Sequence, residues 1–235
     1  MDVVTAPPLS PTDRSRVRRH RDRQRSDRAE LHAVLDEALV AHLGRVVDGE
    51  PVVLPTLHAR VGETLYLHGS SGAASLRGDE PVCVTVTLID GLVYARRWFT
   101  HSANYRSAVV RGRARTVTDP DEALAALRAL VAQVAPGQEE HAAAPSRKEM
   151  AATAVVAVDL DEASVKVRTG PPGDGDAVAA GDDRWAGVVR LETRVADVTT
   201  CPALPADTPV PAHVPRSGTA LPLLSGAGPS RTRGS

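Results

Sequence analysis

Residues 52–77 read VVLPTLHARVGETLYLHGSSGAASLR, the stretch around which the rest of the chain is best interpreted. Two apolar runs, Val52 to Val61 and Thr64 to His68, flank the turn pair Gly62-Glu63, which predicts two strands joined tightly. A Gly, Ser and Ala-rich bend follows from Gly69 to Ser75, at the head of a predicted short helix. Such a loop offers backbone N–H groups and Ser hydroxyls to a phosphate, although junctions of this kind also occur as plain turns.

The composition sets the broad class of protein. A chain of 235 residues fits one sizeable domain with tails. Its 28 basic and 29 acidic residues nearly cancel, so no overall field favours nucleic acid or a membrane. The beginning of the chain lacks an apolar signal core, and no run approaches the length of a membrane span. We therefore expect a cytoplasmic protein, with Cys83 and Cys201 giving no disulfide framework.

The two ends of the chain differ from its middle. Eight arginines occur between Arg14 and Arg28, interrupted by acidic residues and without aromatic residues for base stacking. This pattern favours an arm that packs against the body or a partner subunit over a nucleic-acid arm. Residues from Cys201 onward are rich in Pro, Gly and Ser. We predict a disordered basic arm over 1–25, a folded domain over 26–200 and a disordered tail over 201–235.

Local signals predict an antiparallel barrel. Ser26 or Asp27 can cap a helix, and Asp48-Gly49 is a strong hairpin signal. Pro55 has no backbone N–H to donate to a neighbouring strand, so its strand should lie at an edge, a bulge or a barrel rim. A second helix should run from Glu122 to Val134 after a cap at Asp119. The predicted inward residues are, for the first helix, Leu31, Val34, Leu35, Ala38 and Leu39, and for the second, Leu124, Leu127, Leu130 and Val131.

Two further segments suggest surfaces with a function. In the strand that begins at Pro81, one face is apolar and the other carries Cys83, Thr85 and Thr87, which is typical of a dimer face or a cavity wall. Residues 91–105 form a turn-like segment that holds four of the six aromatic residues, Tyr94, Trp98, Phe99 and Tyr105. They either seal the barrel end or form a wall beside a flat ligand or a partner subunit. With six or seven strands and two helices, the fold class is mainly β, an antiparallel barrel with flanking helices.

Four strings together resemble a known family: LPTLHARVGETLYLHGSSGAASLRG, PVCVTVTLIDGLVYARR, HSANYRSAVVRGRA, and SVKVRTGPP followed by WAGVV. Over residues 14–200 the chain is similar to the pyridoxamine 5'-phosphate oxidase-like flavoproteins with the FMN-binding split barrel. The branch it resembles is the bacterial group related to nitroimidazole-resistance proteins. This resemblance implies a homodimer that binds two FMN molecules between its subunits.

The resemblance also implies site residues. Backbone groups at the flavin ring edge would be Leu54, Pro55, Thr56 and Leu57. The phosphate would be held by His68, Gly69, Ser70 and Ser71, and its site completed by Asn104, Tyr105, Arg106 and Ser107. Lys166 and Arg168 would reach the flavin from the other subunit. The loop lacks the Lys found in many relatives, which leaves Arg77 or Arg106 to supply charge, and the C-terminus lacks the Arg-and-His cluster that grips pyridoxamine phosphate.

The expected function is therefore that of an FMN-dependent oxidoreductase acting on a small planar molecule, with no catalytic residue that can be named. The alternative is a non-catalytic flavin- or haem-binding protein of the same fold. His58, His68 and His101 are the candidate axial ligands for haem, although hydrogen-bonded structural roles are commoner for such residues. No ligand-type spacing indicates another metal site, and we expect no nucleic-acid or membrane partner.

Overall fold

The computed structural model describes residues 7–9, 12–71, 79–173 and 182–222. Within these ranges the chain forms four α-helices, which are α1 (Arg28–Glu37), α2 (Pro120–Val134), α3 (Gln138–His141) and α4 (Arg147–Ala152). It also forms the strands β1 (Gln24–Arg25), β2 (Val40–Val47), β3 (Glu50–Val61), β4 (Thr64–Ser70), β5 (Pro81–Tyr94), β6 (Ser102–Arg113), β7 (Arg115–Thr116), β8 (Thr153–Asp159), β9 (Glu162–Arg168), β10 (Gly187–Arg190), β11 (Thr193–Arg194) and β12 (Ala220–Leu221).

The main sheet is antiparallel throughout, with the order β1-β9-β6-β5-β2-β3-β4-β8-β7 and with β10 paired to β5. It curls into a barrel because β6 returns to β8. Gly112 on β6 permits this approach, since a Cβ there would lie 3.0 Å from Cγ1 of Val158. The core contains mostly Val, Leu and Ala side chains, as the composition predicts. The structure confirms the predicted mainly-β antiparallel split barrel with flanking helices.

Strand β3 passes from one half of the barrel to the other. Its residues 50–57 pair with β2, and its residues 58–61 pair with β4. Pro55 therefore lies in the half of β3 that has a neighbour on one side only, among the residues that the structure describes. This is the edge position expected for a proline inside a strand.

The predicted turns and helix caps are confirmed. Asp48 and Gly49 have φ of 52° and 84° and join β2 to β3 as a two-residue hairpin loop. Asp27 caps α1 by accepting from the Ala29 N–H. The inward position predicted for Leu39 is wrong, because α1 ends at Glu37 and the Leu39 side chain is 41% exposed.

Helix α2 is capped by Asp119 as predicted, but its buried face is rotated. Leu124 and Val131, predicted to face inward, are 44% and 39% exposed. Ala126 and Leu130 are buried instead, and Ala126 packs with Tyr66, Val117, Val155 and Ala157. Small alanine side chains let α2 lie close to the sheet. This close packing outweighs the burial that Leu124 and Val131 would have gained by facing inward.

The aromatic segment 91–105 differs from the prediction of a turn. Strand β5 continues to Tyr94 past a bulge between Ile89 and Gly91, because β10 pairs with this extension. Trp98 and Phe99 lie in a short 3₁₀ turn and are 96% and 88% exposed. The interpretation that these two rings seal the barrel end is therefore wrong.

In the described ranges, the N-terminal segment contacts the barrel, and the C-terminal segment contacts β11 and helix α3. Leu9 is buried in the main core, β1 pairs with β9, and Arg14 forms an ion pair with Glu162. At the other end, β12 pairs with β11, and the His213 ring shares a hydrogen bond with Gln138. The division into residues 1–25, 26–200 and 201–235 stays a prediction. Among the described helices, none is long and apolar enough to cross a membrane.

Candidate functional site at the split between strands β3 and β4

The candidate residues on β3 and β4 lie where these two strands diverge. The last cross-strand pair on this side is His58 with Leu67. The segments Leu54–Leu57 and His68–Ser71 extend from that pair on opposite strands, so the structure brings them together. The edge of β3 that faces the split carries no further strand in the described ranges, and such an edge presents backbone donors and acceptors to a ligand.

The phosphate loop predicted after β4 is only partly described. Gly69 and Ser70 still belong to β4, where they pair with Ala154 and Thr153. The Ser71 N–H donates to the Ala152 carbonyl at 2.9 Å, so this donor is already used within the sheet. Residues 72–78, which include Arg77 and the start of the predicted short helix, lie outside the described residues.

The second candidate group lies on β6 and β9. Ser107 is the cross-strand partner of Lys166, and Tyr105 is that of Arg168. Asn104 is buried and accepts a hydrogen bond from the Arg168 guanidinium, while its own amide donates to the Gly170 carbonyl. These residues therefore lie close together, and the hydrogen bonds of Asn104 hold the end of β9 in place.

Arg106 is held by two carboxylates. Its guanidinium forms ion pairs with Glu37, at the end of α1, and with Asp90, beside the bulge in β5. Hydrogen bonds that Arg106 donates to Glu37 first, and then to Asp90, raise the pKa of Arg106 above its usual value. A phosphate would have to displace both carboxylates, so these contacts favour a structural role for Arg106. Sequence reasoning missed this cluster, since Glu37 is 69 residues away in the chain.

The two candidate groups are far apart within one chain. From β3 to β9 the sheet order crosses β2, β5 and β6, which makes four strand spacings, or about 19 Å along the sheet. A single subunit therefore does not bring Lys166 to residues 54–57 along the sheet.

The three candidate haem ligands have different environments. His58 is fully buried in the core with Nε2 bonded to the Leu35 carbonyl, and burial lowers its pKa. Nδ1 of His101 lies 3.2 Å from the Ala95 N–H and 3.1 Å from the Arg97 carbonyl. His68 is half-buried at the split, and its Nδ1 is buried with no hydrogen-bond partner in the described structure. Of the three, His58 is enclosed in the core, His68 is half-buried with its unpaired Nδ1 inside the fold, and His101 is exposed.

A cationic cleft also lies beside β9. Its volume is about 290 Å³, and it is lined by Arg23 and Arg25 from the N-terminal arm and by Arg168. The run of arginines in the sequence is the signal that could have indicated this cleft. The position of Arg168 beside two of those arginines depends on the pairing of β1 with β9, which no local pattern predicts.

The comparisons with known proteins identify the class. The family model for pyridoxamine 5'-phosphate oxidase matches residues 27–167, so the chain belongs to that family. The chain is similar to the flavocytochrome Anf3 from Azotobacter vinelandii, at 36% identity over 88% of this chain and 97% of that one, with a TM-score of 0.81. It is also similar to an FAD and haem binding protein from Mycobacterium smegmatis, at 38% identity over 81% and 95% of the two chains, with a TM-score of 0.76.

A third solved structure shares the fold alone. It is a putative 5-nitroimidazole antibiotic resistance protein from Bacteroides thetaiotaomicron, at 22% identity over 61% of this chain and 86% of that one, with a TM-score of 0.52. No curated protein matches this chain. The predicted family is therefore confirmed, and its structural relatives include proteins described as binding flavin and haem.

Proposed function

We propose that this chain is a flavin- and haem-binding protein of the pyridoxamine 5'-phosphate oxidase family that transfers electrons as a homodimer. The observation that carries the proposal is its similarity, at 36% and 38% identity over more than four fifths of its length, to two proteins whose descriptions name these groups. The expectation of FMN is widened to a flavin nucleotide, because the description of the Mycobacterium smegmatis relative names FAD.

The residues at the split fit a flavin. In the described ranges the edge of β3 at Leu54–Leu57 has no further strand and offers backbone groups, and the exposed Ser70 and Ser71 lie at the end of β4 and just after it. Lys166 would come from the partner subunit, which agrees with its distance along the sheet from β3. A bound flavin supplies the redox chemistry, while this chain binds the flavin, orients it and limits its contact with water.

We assign the axial haem ligand to His68 by its position at the split. The fully enclosed ring of His58 leaves no room for a macrocycle, and His101 lies away from the split, after the 3₁₀ turn at Trp98–Thr100. His68 also follows the last β3–β4 pair, so haem and flavin would lie in the same region of the dimer.

The proposed dimer face is the outer surface of β2, β3 and β5. Gly44 pairs with both Val53 and Cys83, so the half-polar face predicted for β5 continues onto the neighbouring strands. Val46 and Val53 on this surface are 57% and 64% exposed, which is unusual for neighbouring valines on a sheet. Covering them with a second subunit would remove this apolar area from water.

We also propose that the flavin reduces or oxidises a small planar molecule. The exposed rings of Trp98 and Phe99 offer flat apolar area, and in the same segment the Tyr94 ring contacts the Trp185 ring at 53°, with centroids 5.8 Å apart. An assay of substrate reduction by the flavin-loaded protein tests this: a Trp98→Ala, Phe99→Ala variant should have a raised KM with little change in kcat. An unchanged KM would remove these rings from the substrate site.

The experiment that tests haem ligation compares His68→Ala with His101→Ala. Each purified variant is titrated with haemin and with FAD, and binding is followed by the Soret and flavin absorption bands. We expect His68→Ala to lose the Soret shift while it keeps flavin binding, and His101→Ala to keep both. Retention of the wild-type haem spectrum by His68→Ala would refute the assignment, and retained flavin binding shows that the variant is folded.

A further inference from the structure

Within the described ranges, the cationic cleft beside β9 contains a buried arginine that no carboxylate pairs with. Arg168 is 8% exposed, and its contacts are the Asn104 side-chain oxygen and, at 3.4 Å, the Pro171 carbonyl. Its Nε is buried without a hydrogen-bond partner, and no ion pair joins Arg168 to a carboxylate in the described ranges. Burying a guanidinium with an unsatisfied donor costs free energy, and a bound anion would offset this cost.

Two arginines of the N-terminal arm add positive charge to the same cleft. Arg23 comes from the 3₁₀ turn that precedes β1, and its guanidinium has no hydrogen bond or ion pair in the described ranges. Arg25 donates to the Asp22 carbonyl and lies 3.6 Å from Glu30, which satisfies it only in part. Among the lining residues, three guanidinium groups therefore meet a single carboxylate, that of Asp22.

The electrostatics agree with this geometry. Burial lowers the pKa of Arg168, and the positive charge of Arg23 lowers it further. The two cations therefore repel each other across the cleft, and no carboxylate of the described residues neutralises Arg168. A dianion between them would remove this repulsion and accept hydrogen bonds from the guanidinium groups that line the cleft.

We propose that this cleft binds the diphosphate or phosphate group of a nucleotide. Guanidinium groups present forked N–H donors that match phosphate oxygens, and three of them converge here. A volume of about 290 Å³ accommodates a diphosphate with its adjoining sugar, and is small for a whole dinucleotide. The phosphate belongs either to the adenylate half of a bound FAD or to a separate nucleotide, and the chemistry of recognition is the same for both.

The test measures the binding of inorganic pyrophosphate to the full-length protein by isothermal titration calorimetry. The variants are Arg23→Gln and Arg168→Gln, and the matched control is Arg19→Gln, an exposed arginine of the same arm that does not line the cleft. We expect each cleft variant to weaken pyrophosphate binding about tenfold or more, the effect of losing a hydrogen bond to a charged group. The control should bind as the wild type does.

A second titration identifies the source of the phosphate. Saturation with FAD, but not with FMN, should block pyrophosphate binding if the cleft holds the adenylate half of the flavin. If pyrophosphate binds equally well in the presence of FAD, a separate nucleotide is the ligand. The proposal is overturned if the wild type does not bind pyrophosphate, or if Arg23→Gln and Arg168→Gln bind it like Arg19→Gln. The first titration needs no bound flavin, so its failure is distinct from a failure of the proposed function.

Discussion

Replacing Arg106 by alanine should destabilise the folded chain whether or not flavin is present. The Arg106 guanidinium donates to both Glu37 oxygens and to both Asp90 oxygens, and the three side chains are 22%, 23% and 33% exposed. Removing the cation leaves two partly buried carboxylates without a partner. A fully buried ion pair broken in this way costs about 3–5 kcal/mol, and the partial exposure here reduces our expectation to about 2–4 kcal/mol.

Urea unfolding followed by circular dichroism measures this loss. With a typical slope of about 2 kcal/mol per molar urea, the midpoint should fall by about 1–2 M at an unchanged slope. Arg113→Ala is the control, because the Arg113–Asp79 pair is 3.4 Å long and its side chains are 63% and 92% exposed. That variant should change the free energy of unfolding by less than about 0.5 kcal/mol.

A phosphate-binding role for Arg106 would give a different pattern. If Arg106→Ala kept the wild-type midpoint in the absence of flavin and lost only flavin affinity, the two ion pairs would not contribute to stability. Glu37→Gln provides a second check, because it breaks one of the two pairs and leaves Arg106 in place. An unchanged midpoint in both variants would refute the structural role that the contacts of Arg106 indicate.

Three further predictions concern pH and assembly. The Arg115 guanidinium holds the pKa of Glu122 below its usual 4.5, so this carboxylate stabilises the fold above pH 4.5 and ceases to do so as the pH falls below its folded pKa. Glu122→Gln should cost about 0.5–1 kcal/mol in urea unfolding at pH 7, and this cost should shrink as the pH falls below 4.5. Burial lowers the pKa of His58, so below pH 6.5 the unfolded chain binds a proton at this residue that the folded chain does not. The wild type should therefore lose stability between pH 6.5 and 5, and His58→Gln should lose less. Val53→Asp should convert the dimer to monomer in sedimentation velocity, whereas the similarly exposed Leu204→Asp should not; a wild-type chain that is monomeric at micromolar concentration would contradict the proposed dimer.

The features that sequence predicted correctly depend on near neighbours in the chain. The Asp48-Gly49 loop needs two residues with positive φ, and the Asp27 cap needs an N–H two residues on, so both signals are local. The buried face of α2 was misplaced because hydrophobicity ranks Leu124 above Ala126, while the packing of this helix on the sheet favours the smaller side chain. The extension of β5 to Tyr94 depends on β10, which is almost one hundred residues further along the chain.

In the candidate site too, only the features that depend on near neighbours in the chain were predicted. The two segments that flank the split were placed correctly on neighbouring strands because a single tight turn joins β3 to β4. The partners of Arg106, and the meeting of Arg168 with Arg23, depend on strand pairings between distant segments. In the proposed function these groups serve a flavin together with a second subunit, and no pattern within one chain specifies how two copies would meet.

The most direct test of the proposed function is the absorption spectrum of the full-length protein, purified and then titrated with FAD, FMN and haemin. We predict that the protein takes up one flavin and one haem per chain, with shifted flavin bands and a Soret band that is lost in His68→Ala. Mass spectrometry of the released flavin then distinguishes FAD from FMN. A protein that binds neither flavin at micromolar concentration would contradict the central claim.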